Sequence, residues 1–181
     1  MAVNVNDFVQ RLSGGGARAN QFEVEIQMAS FITDTQTIKF LCRSASLPAM
    51  TVGEVPVFYR GRQIYLSGDR TYADWTVTVY NDANWISRGN LENWNNSITE
   101  IGSTTAGSQS PADYYGLAYV RQKDRSDNFI RTARLQDLWP TNLGEIALAY
   151  DTVDAVEEYE VTFRFNYMRL YGAKGPNLGS G

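Results

Sequence analysis

The chain has 181 residues, 43% of them hydrophobic and 13% aromatic, with a formal net charge of −4 from 16 basic and 20 acidic side chains. The length fits one domain able to bury about 70% of its unfolded surface, and the acidic balance argues against gripping nucleic acid, which needs Lys and Arg to neutralise phosphates. The absence of histidine removes Ser-His-Asp and Cys-His catalysis and imidazole metal ligation, and the single cysteine, Cys42, excludes an internal disulfide or a Cys-rich zinc site. No apolar run nears the roughly 18 residues that would span a bilayer. The N-terminus lacks the basic region and apolar core of a secretion signal, so the chain is expected to be made and used in a cytoplasm.

In chain order, residues 1–20 open with a short amphipathic piece. Asn4 or Asn6 can cap a turn or two carrying Phe8, Val9 and Leu12, ended by Gly14-Gly15-Gly16. The glycines permit an arm, about 1–19, that docks on a neighbour; a frayed terminus accounts for them equally well. The first clear strand is predicted over 21–28, where Phe22, Val24, Ile26 and Met28 alternate with Glu23, Glu25 and Gln27. A second is predicted at about 37–43, with Cys42 as a small apolar residue grouped with Ile38 and Phe40.

Residues 44–61 read as a long excursion containing Pro48, Gly53, Pro56 and Gly61. Pro56 inside Val55-Pro56-Val57-Phe58-Tyr59 cannot sit in a central strand, so this stretch is an edge or a protruding hairpin. Residues 62–67 resume a strand with Ile64 and Leu66 facing one way, and Gly68-Asp69-Arg70 reads as a polar turn. Beyond it, Trp75, Val77 and Val79 share one face of a strand and Thr76, Thr78 and Tyr80 the other.

A helix is predicted over 82–98. Ile86, Trp94 and Ile98, with Trp85 and Leu91 alongside, form a stripe that can bury against a sheet. Gly89 and the asparagines lower its propensity, so packing of the two Trp must hold it. Residues 101–116 form a small-residue loop of the kind that serves interactions or lacks order. Strands follow at 117–121 and 129–138, joined by a turn at 123–127. Leu138-Trp139-Pro140-Thr141-Asn142 reads as a turn into a strand at 145–150, apolar at nearly every position and so expected to be buried on both faces. The last and longest strand is predicted over 157–170, with Tyr159, Val161, Phe163, Phe165 and Tyr167 on one side. Residues 172–181 have the composition of a mobile tail. No repeat or second domain is visible, so a single domain over 1–181 is expected.

Each candidate chemistry has a plainer explanation. Glu23/Glu25 and Glu158/Glu160 are carboxylate pairs sharing a strand face, a pattern usable in acid–base work but produced constantly by solvated strands. Gly14-Gly15-Gly16 lacks the Lys-Ser/Thr of a phosphate loop. Asp69, Asp74 and Asp82 lack the spacing of a calcium loop. No cofactor is implied. Arg121, Lys123, Arg125, Arg131 and Arg134 form a basic cluster, and the stretch from Glu145 to Glu160, with Asp151, Asp154, Glu157 and Glu158, offers an acidic counterpart on a neighbouring copy. Such opposite patches suit head-to-tail association into rings or filaments; charges spread over solvated faces explain them too.

Gly68-Asp69-Arg70-Thr71 followed by Asp74-Trp75-Thr76-Val77-Thr78-Val79 resembles the tail tube proteins of contractile-tailed bacteriophages of the T-even type. Further similar pieces, in matching order, are Asn20-Gln21-Phe22-Glu23-Val24-Glu25-Ile26, Phe40-Leu41-Cys42-Arg43-Ser44-Ala45-Ser46-Leu47-Pro48-Ala49, Leu138-Trp139-Pro140-Thr141-Asn142-Leu143-Gly144-Glu145 and Tyr159-Glu160-Val161-Thr162-Phe163. The likeness runs roughly from Asn20 to Tyr167; the loop 101–116 and the extension after Tyr167 depart from it, so contacts made there do not carry over.

The resemblance implies a mainly β fold: two packed antiparallel sheets, barrel- or sandwich-like, with one flanking helix and a short N-terminal helix. It also implies hexameric rings closing a large β-barrel and stacking into the inner tube of a contractile tail, a conduit for DNA ejection. With four strands per subunit the barrel has about 24, spaced ~4.8 Å and tilted about 40°, for a circumference of roughly 150 Å and a backbone diameter of about 48 Å. Side chains then leave a lumen of order 40 Å, wide enough for duplex DNA about 20 Å across.

The implied partners are further copies of the chain, the tail sheath protein, and baseplate and tail terminator proteins, with tape-measure protein and DNA passing through unbound. Glu158 and Glu160 are candidates to face the lumen, since an acidic wall lets DNA slide. The segment with Pro48, Val55, Pro56, Tyr59 and Arg60 is the candidate to reach the next ring. On this reading the chain is a virion building block, not an enzyme. The rivals are a tube protein of a related injection device, tailocin or type VI secretion-like, and, further off, a monomeric β-sandwich binding module.

Overall fold

The computed structural model describes residues 16–28, 41–99, 110–150 and 155–172, together with Val5 and Gln10. In chain order these residues form β1 (Phe22–Gln27), β2 (Cys42–Ala45), β3 (Met50–Tyr59), β4 (Arg62–Tyr72), β5 (Trp75–Tyr80), α1 (Ile86–Ile98), α2 (Pro111–Tyr114), β6 (Gly116–Lys123), β7 (Phe129–Leu143), β8 (Glu158–Arg164) and β9 (Tyr167–Gly172).

Period-two alternation decides the strands of the body. Trp75, Val77 and Val79 of β5 are buried, and so are Tyr159, Val161 and Phe163 of β8, while the residues between them are not. All pairings are antiparallel, in the order β1-β6-β7-β8-β5-β2, with β9 added beside β7. The key element is β7, 15 residues long. Its first part pairs with β6 and β9, and from Trp139 onward it pairs with β8. The change falls at Asp137, whose φ of 55° turns the chain. Two antiparallel sheets result, β1-β6-β7-β9 and β7-β8-β5-β2, sharing one strand. Their inward faces meet in one core, with Val24, Ile26, Val120 and Leu135 from the first and Trp75, Val77, Tyr159 and Phe163 from the second.

The helix α1 closes this core through Leu91 and Trp94. The Trp94 ring lies 6.0 Å from Phe163, and its indole N–H donates to the Tyr114 carbonyl at 2.7 Å. Gly116 lies under that indole; a Cβ there would meet both Trp94 and the Gln27 carbonyl at 2.7 Å. At the helix start the Asp82 carboxylate accepts the Ile86 and Ser87 backbone N–H groups at 3.0 Å and the Ser87 hydroxyl at 2.5 Å. Partial burial pushes the Asp82 pKa up, but the hydrogen bonds from Ser87 and Ile86 outweigh it and hold the carboxyl below its usual range.

Several sequence expectations are corrected. Gly68-Asp69-Arg70 is not a turn: it lies within β4, where the register shifts opposite Gly53. Trp85 and Ile86 are exposed, so of the two tryptophans only Trp94 anchors the helix, together with Leu91. Residues 139–142 continue β7 instead of turning, because Pro140 lies where β7 is paired with β8 alone and its missing N–H breaks no second ladder. Residues 145–150 form no strand, and Leu148 and Tyr150 stand in solvent. The strand expected over 157–170 is two strands, β8 and β9; the chain crosses between sheets at Asn166, whose N–H donates to the Gln136 carbonyl, and Tyr167 then faces outward. Residues 111–114 of the expected loop are helical. The described strand β2 begins at Cys42, near the end of the strand expected at 37–43. Residues 37–40 of that strand, most of the N-terminal piece, 101–109 and the tail beyond Gly172 lie outside the described residues.

Candidate functional site: the assembly surfaces

The most exposed element is the ribbon β3–β4. It is a separate two-stranded sheet. Every β3 residue is exposed, and in β4 only Gly68 and Tyr72 are partly covered. The root is fixed to the body: Ala73 N–H donates to the Ala49 carbonyl at 3.0 Å, Trp75 donates its indole N–H to the Ser46 carbonyl at 2.8 Å, and the Tyr72 ring packs, tilted by 43°, at 5.3 Å from that of Phe165. Pro48 belongs to this root and is buried, so it does not travel with the tip. At the tip, Arg60 and Gly61 take φ values of 46° and 78°, the paired left-handed conformations a two-residue hairpin turn requires.

Residues directly opposite share a ribbon face. Val55 faces Leu66 and Val57 faces Ile64 on one side; Pro56 faces Tyr65 on the other, next to Phe58. Tyr59 ends the first face, with the Arg60 guanidinium 5.3 Å from its ring. Sequence reasoning identified Val55, Pro56, Tyr59 and Arg60 but read Ile64 and Leu66 only as one side of a strand resuming after the hairpin. Their signal was present, since Val55 and Val57 are mirrored by Leu66 and Ile64 about the Arg60-Gly61 turn.

A second surface is acidic. Glu158 and Glu160 lie on the outer face of β8 and line a cleft of about 510 Å³ with Glu145, Thr78, Gly144 and Arg43. Glu158 is ion-paired with Arg43, which leaves Glu160 and Glu145 as the cleft's other acids. Gly144 donates its N–H to the Glu160 carbonyl at 2.7 Å, and this backbone contact sets the cleft floor.

The basic residues do not form one patch. Arg121 is paired within its own chain to Glu23 at 3.1 Å and Glu25 at 2.6 Å, and Lys123 to Glu23 at 2.9 Å. The carboxylate pair Glu23/Glu25 is therefore engaged in ion pairs. Arg125 sits exposed in the turn between β6 and β7. Arg131 and Arg134, an odd number of residues apart on β7, point to opposite faces; Arg134 lies over the Tyr119 ring at 5.9 Å. Asp151 and Asp154 lie outside the described residues. Among the described residues no group of carboxylate and thiol side chains is placed to hold a metal ion.

A family model for phage tail tube proteins matches residues 17–170. The chain belongs to the phage tail tube protein family. Within that family it is similar to the tail tube protein gp19 of Enterobacteria phage T4, with 36% identity over 156 residues, 86% of this chain and 92% of that one. Two solved structures of an extracellular contractile injection system share the fold. One, of a PVC sheath/tube terminator, has a TM-score of 0.66 at 12% identity, covering 87% of this chain and 97% of the other. The second, of a PVC sheath-tube complex, has a TM-score of 0.63 at 11% identity, covering 95% and 100%.

A tail tube protein is a structural component of the virion, not an enzyme, and the surfaces above are accordingly surfaces for contact. The pieces that carried the resemblance lie on β1, around β2, across the β4–β5 junction, at the end of β7 and on β8. They frame the core and the root of the ribbon, not its tip.

Proposed function

We propose that this tail tube protein assembles into hexameric rings that stack as the inner tube of a contractile phage tail, the conduit through which DNA is ejected. The observation that carries the reading is the β3–β4 ribbon. An isolated two-stranded hairpin is marginal in water, yet this one displays Val55, Val57, Phe58, Ile64, Tyr65 and Leu66 to solvent in the single chain. Such a surface is made to be covered by another protein, and a self-assembling tube supplies further copies to cover it. Each of the two sheets offers four strands, in keeping with a barrel of about 24 strands and a lumen of order 40 Å.

On this reading Glu158 and Glu160 face the lumen, sheath and terminator proteins contact the outside and the tube end, and DNA passes without specific binding. The runner-up, the tube of a related injection device, has the fold likeness in its favour, but the 36% identity to a phage tail tube protein favours the phage. A monomeric binding module would gather its aromatics in one cleft; here Phe58, Tyr59 and Tyr65 are spread over both faces of a ribbon.

Electron microscopy of the purified chain over a concentration series tests the proposal. Hollow rings or tubes with a lumen near 40 Å are expected. Small particles alone at every concentration, even with tail baseplates added as nuclei, would remove it.

A further inference from the structure

Residues 145–150, which follow β7, have a sequence suited to burial that their own chain does not supply. Glu-Ile-Ala-Leu-Ala-Tyr is apolar at nearly every position, the composition of a stretch covered on more than one side. Yet Leu148 is exposed and Tyr150 stands wholly in solvent. The root of the segment is fixed: Gly144 donates its N–H to the Glu160 carbonyl, and its own carbonyl accepts the Arg88 guanidinium at 2.8 Å. An exposed tyrosine close to a fixed root is a good anchor, because a rigid ring with two side-chain torsions loses little freedom on binding.

A complementary feature lies elsewhere on the same chain. A cavity of about 200 Å³ opens between the two sheets, walled by Phe22 and Val120 from one and by Ala45 and Leu47 beside β2 from the other, with Gln122 and Arg131 also lining it. An apolar cavity of about 150 Å³ holds a benzene ring, so this one has room for one aromatic side chain and not for a folded element. Leu143, Val161, Val77 and Ala45 form one row across the second sheet. The segment therefore leaves from one edge of that sheet and the cavity sits at the other, three strand spacings or about 14 Å away. From this row the chain after β7 runs towards the Tyr80 end of β5, and the chain after β2 runs towards the Trp75 end. Knob and cavity thus face away from each other. Complementary features on opposite sides of one subunit make head-to-tail contacts that repeat from copy to copy, closing as a ring or continuing as a filament.

Resting on the tube reading, we infer that Tyr150 of each copy seats its ring in the cavity between Phe22, Leu47 and Val120 of the next copy. The ring leaves water, and its hydroxyl comes within reach of Gln122 and Arg131, as a buried tyrosine hydroxyl requires a partner. The apolar run at 145–150 is then buried by the assembly and not by the fold.

Substitution and cross-linking test this. Tyr150 is solvent-exposed in the free chain, so Tyr150→Ala should leave its melting temperature unchanged. It should nevertheless raise the concentration needed for rings or tubes at least about tenfold, as loss of a buried aromatic anchor does. Tyr150→Phe keeps the ring and should assemble far more readily than Tyr150→Ala. Assembly of Tyr150→Ala at the threshold of the unaltered chain would overturn the inference. Ala149→Cys and Ala19→Cys place thiols at exposed positions beside the knob and the cavity and leave both intact. In assemblies mixing the two single-thiol chains, a short bis-maleimide should join chains into pairs; in assemblies of a chain carrying both substitutions it should give a ladder of longer products. Assemblies that form normally but stay unlinked would mean that Tyr150 meets a different surface, such as a sheath protein, and the inference fails. Cys42 does not interfere, because burial pushes its thiol up to about 12. If the unaltered chain forms no rings or tubes, the tube reading itself has failed, an outcome distinct from either result above.

Discussion

Asp82 shows how one side chain fixes where an element begins. Its carboxylate satisfies two of the backbone N–H groups that a helix start leaves without partners. Asp82→Ala should cost about 1–2 kcal/mol, read as a drop of roughly 2–8 °C in melting temperature for a chain of this size. The pH dependence has a definite sign. The folded-state pKa is lowered, so the stabilisation is present above the unfolded value of about 3.9 and is lost as pH falls through the folded-state pKa. The gap between the unaltered chain and the variant should therefore be constant near neutrality and close in acid; a gap that widens below about pH 4 would contradict the account. The helix was legible from its amphipathic stripe, but it was expected from Asp82 and begins four residues later at Ile86. The left-handed turn at Asp137 and the indole lying over Gly116 were not legible, because each depends on residues distant in sequence that share its space.

At the scale of elements, the two tryptophans near the helix make opposite predictions. Trp94→Ala removes a fully buried ring and its bond to Tyr114 and should destabilise the chain by about 3–5 kcal/mol. Trp85→Ala, at a side chain 48% exposed, should stay within about 0.5 kcal/mol. Denaturant unfolding of both variants decides it, and equal losses would restore the two-tryptophan stripe expected from sequence. Strands with one dry face were legible because alternation encodes them, as in β1, β5 and β8. Proline was read correctly at Pro56 and wrongly at Pro140. The same rule covers both, since each sits where its strand is paired along one side only, but the number of partners a strand has at a given point is not written in its own residues. The apolar run at 145–150 misled for a related reason. It encodes burial without saying by what, and this chain leaves Leu148 74% exposed.

At the scale of the whole molecule, a well-packed body carries a ribbon that its own chain leaves bare, and the tube reading turns on that contrast. The hairpin was legible from Pro56 and Gly61, whereas the burial of Pro48 and the internal pairing of Arg121 needed the fold. Charge makes one prediction at this scale. If Glu158 and Glu160 face the lumen, Glu158→Lys combined with Glu160→Lys adds salt-sensitive phosphate contacts along the whole channel. Phage carrying both substitutions should build tails but eject DNA more slowly, the more so at low salt; unchanged ejection kinetics would place these residues elsewhere. The central claim is met most directly by removing the ribbon tip. Glu54 and Ser67 are register partners, so replacing 55–66 by Asn-Gly leaves a two-residue turn between paired strands. Imaging of this shortened chain beside the unaltered one should show a folded subunit that builds no stacked tubes. Tubes of normal form and length from the shortened chain would contradict the account.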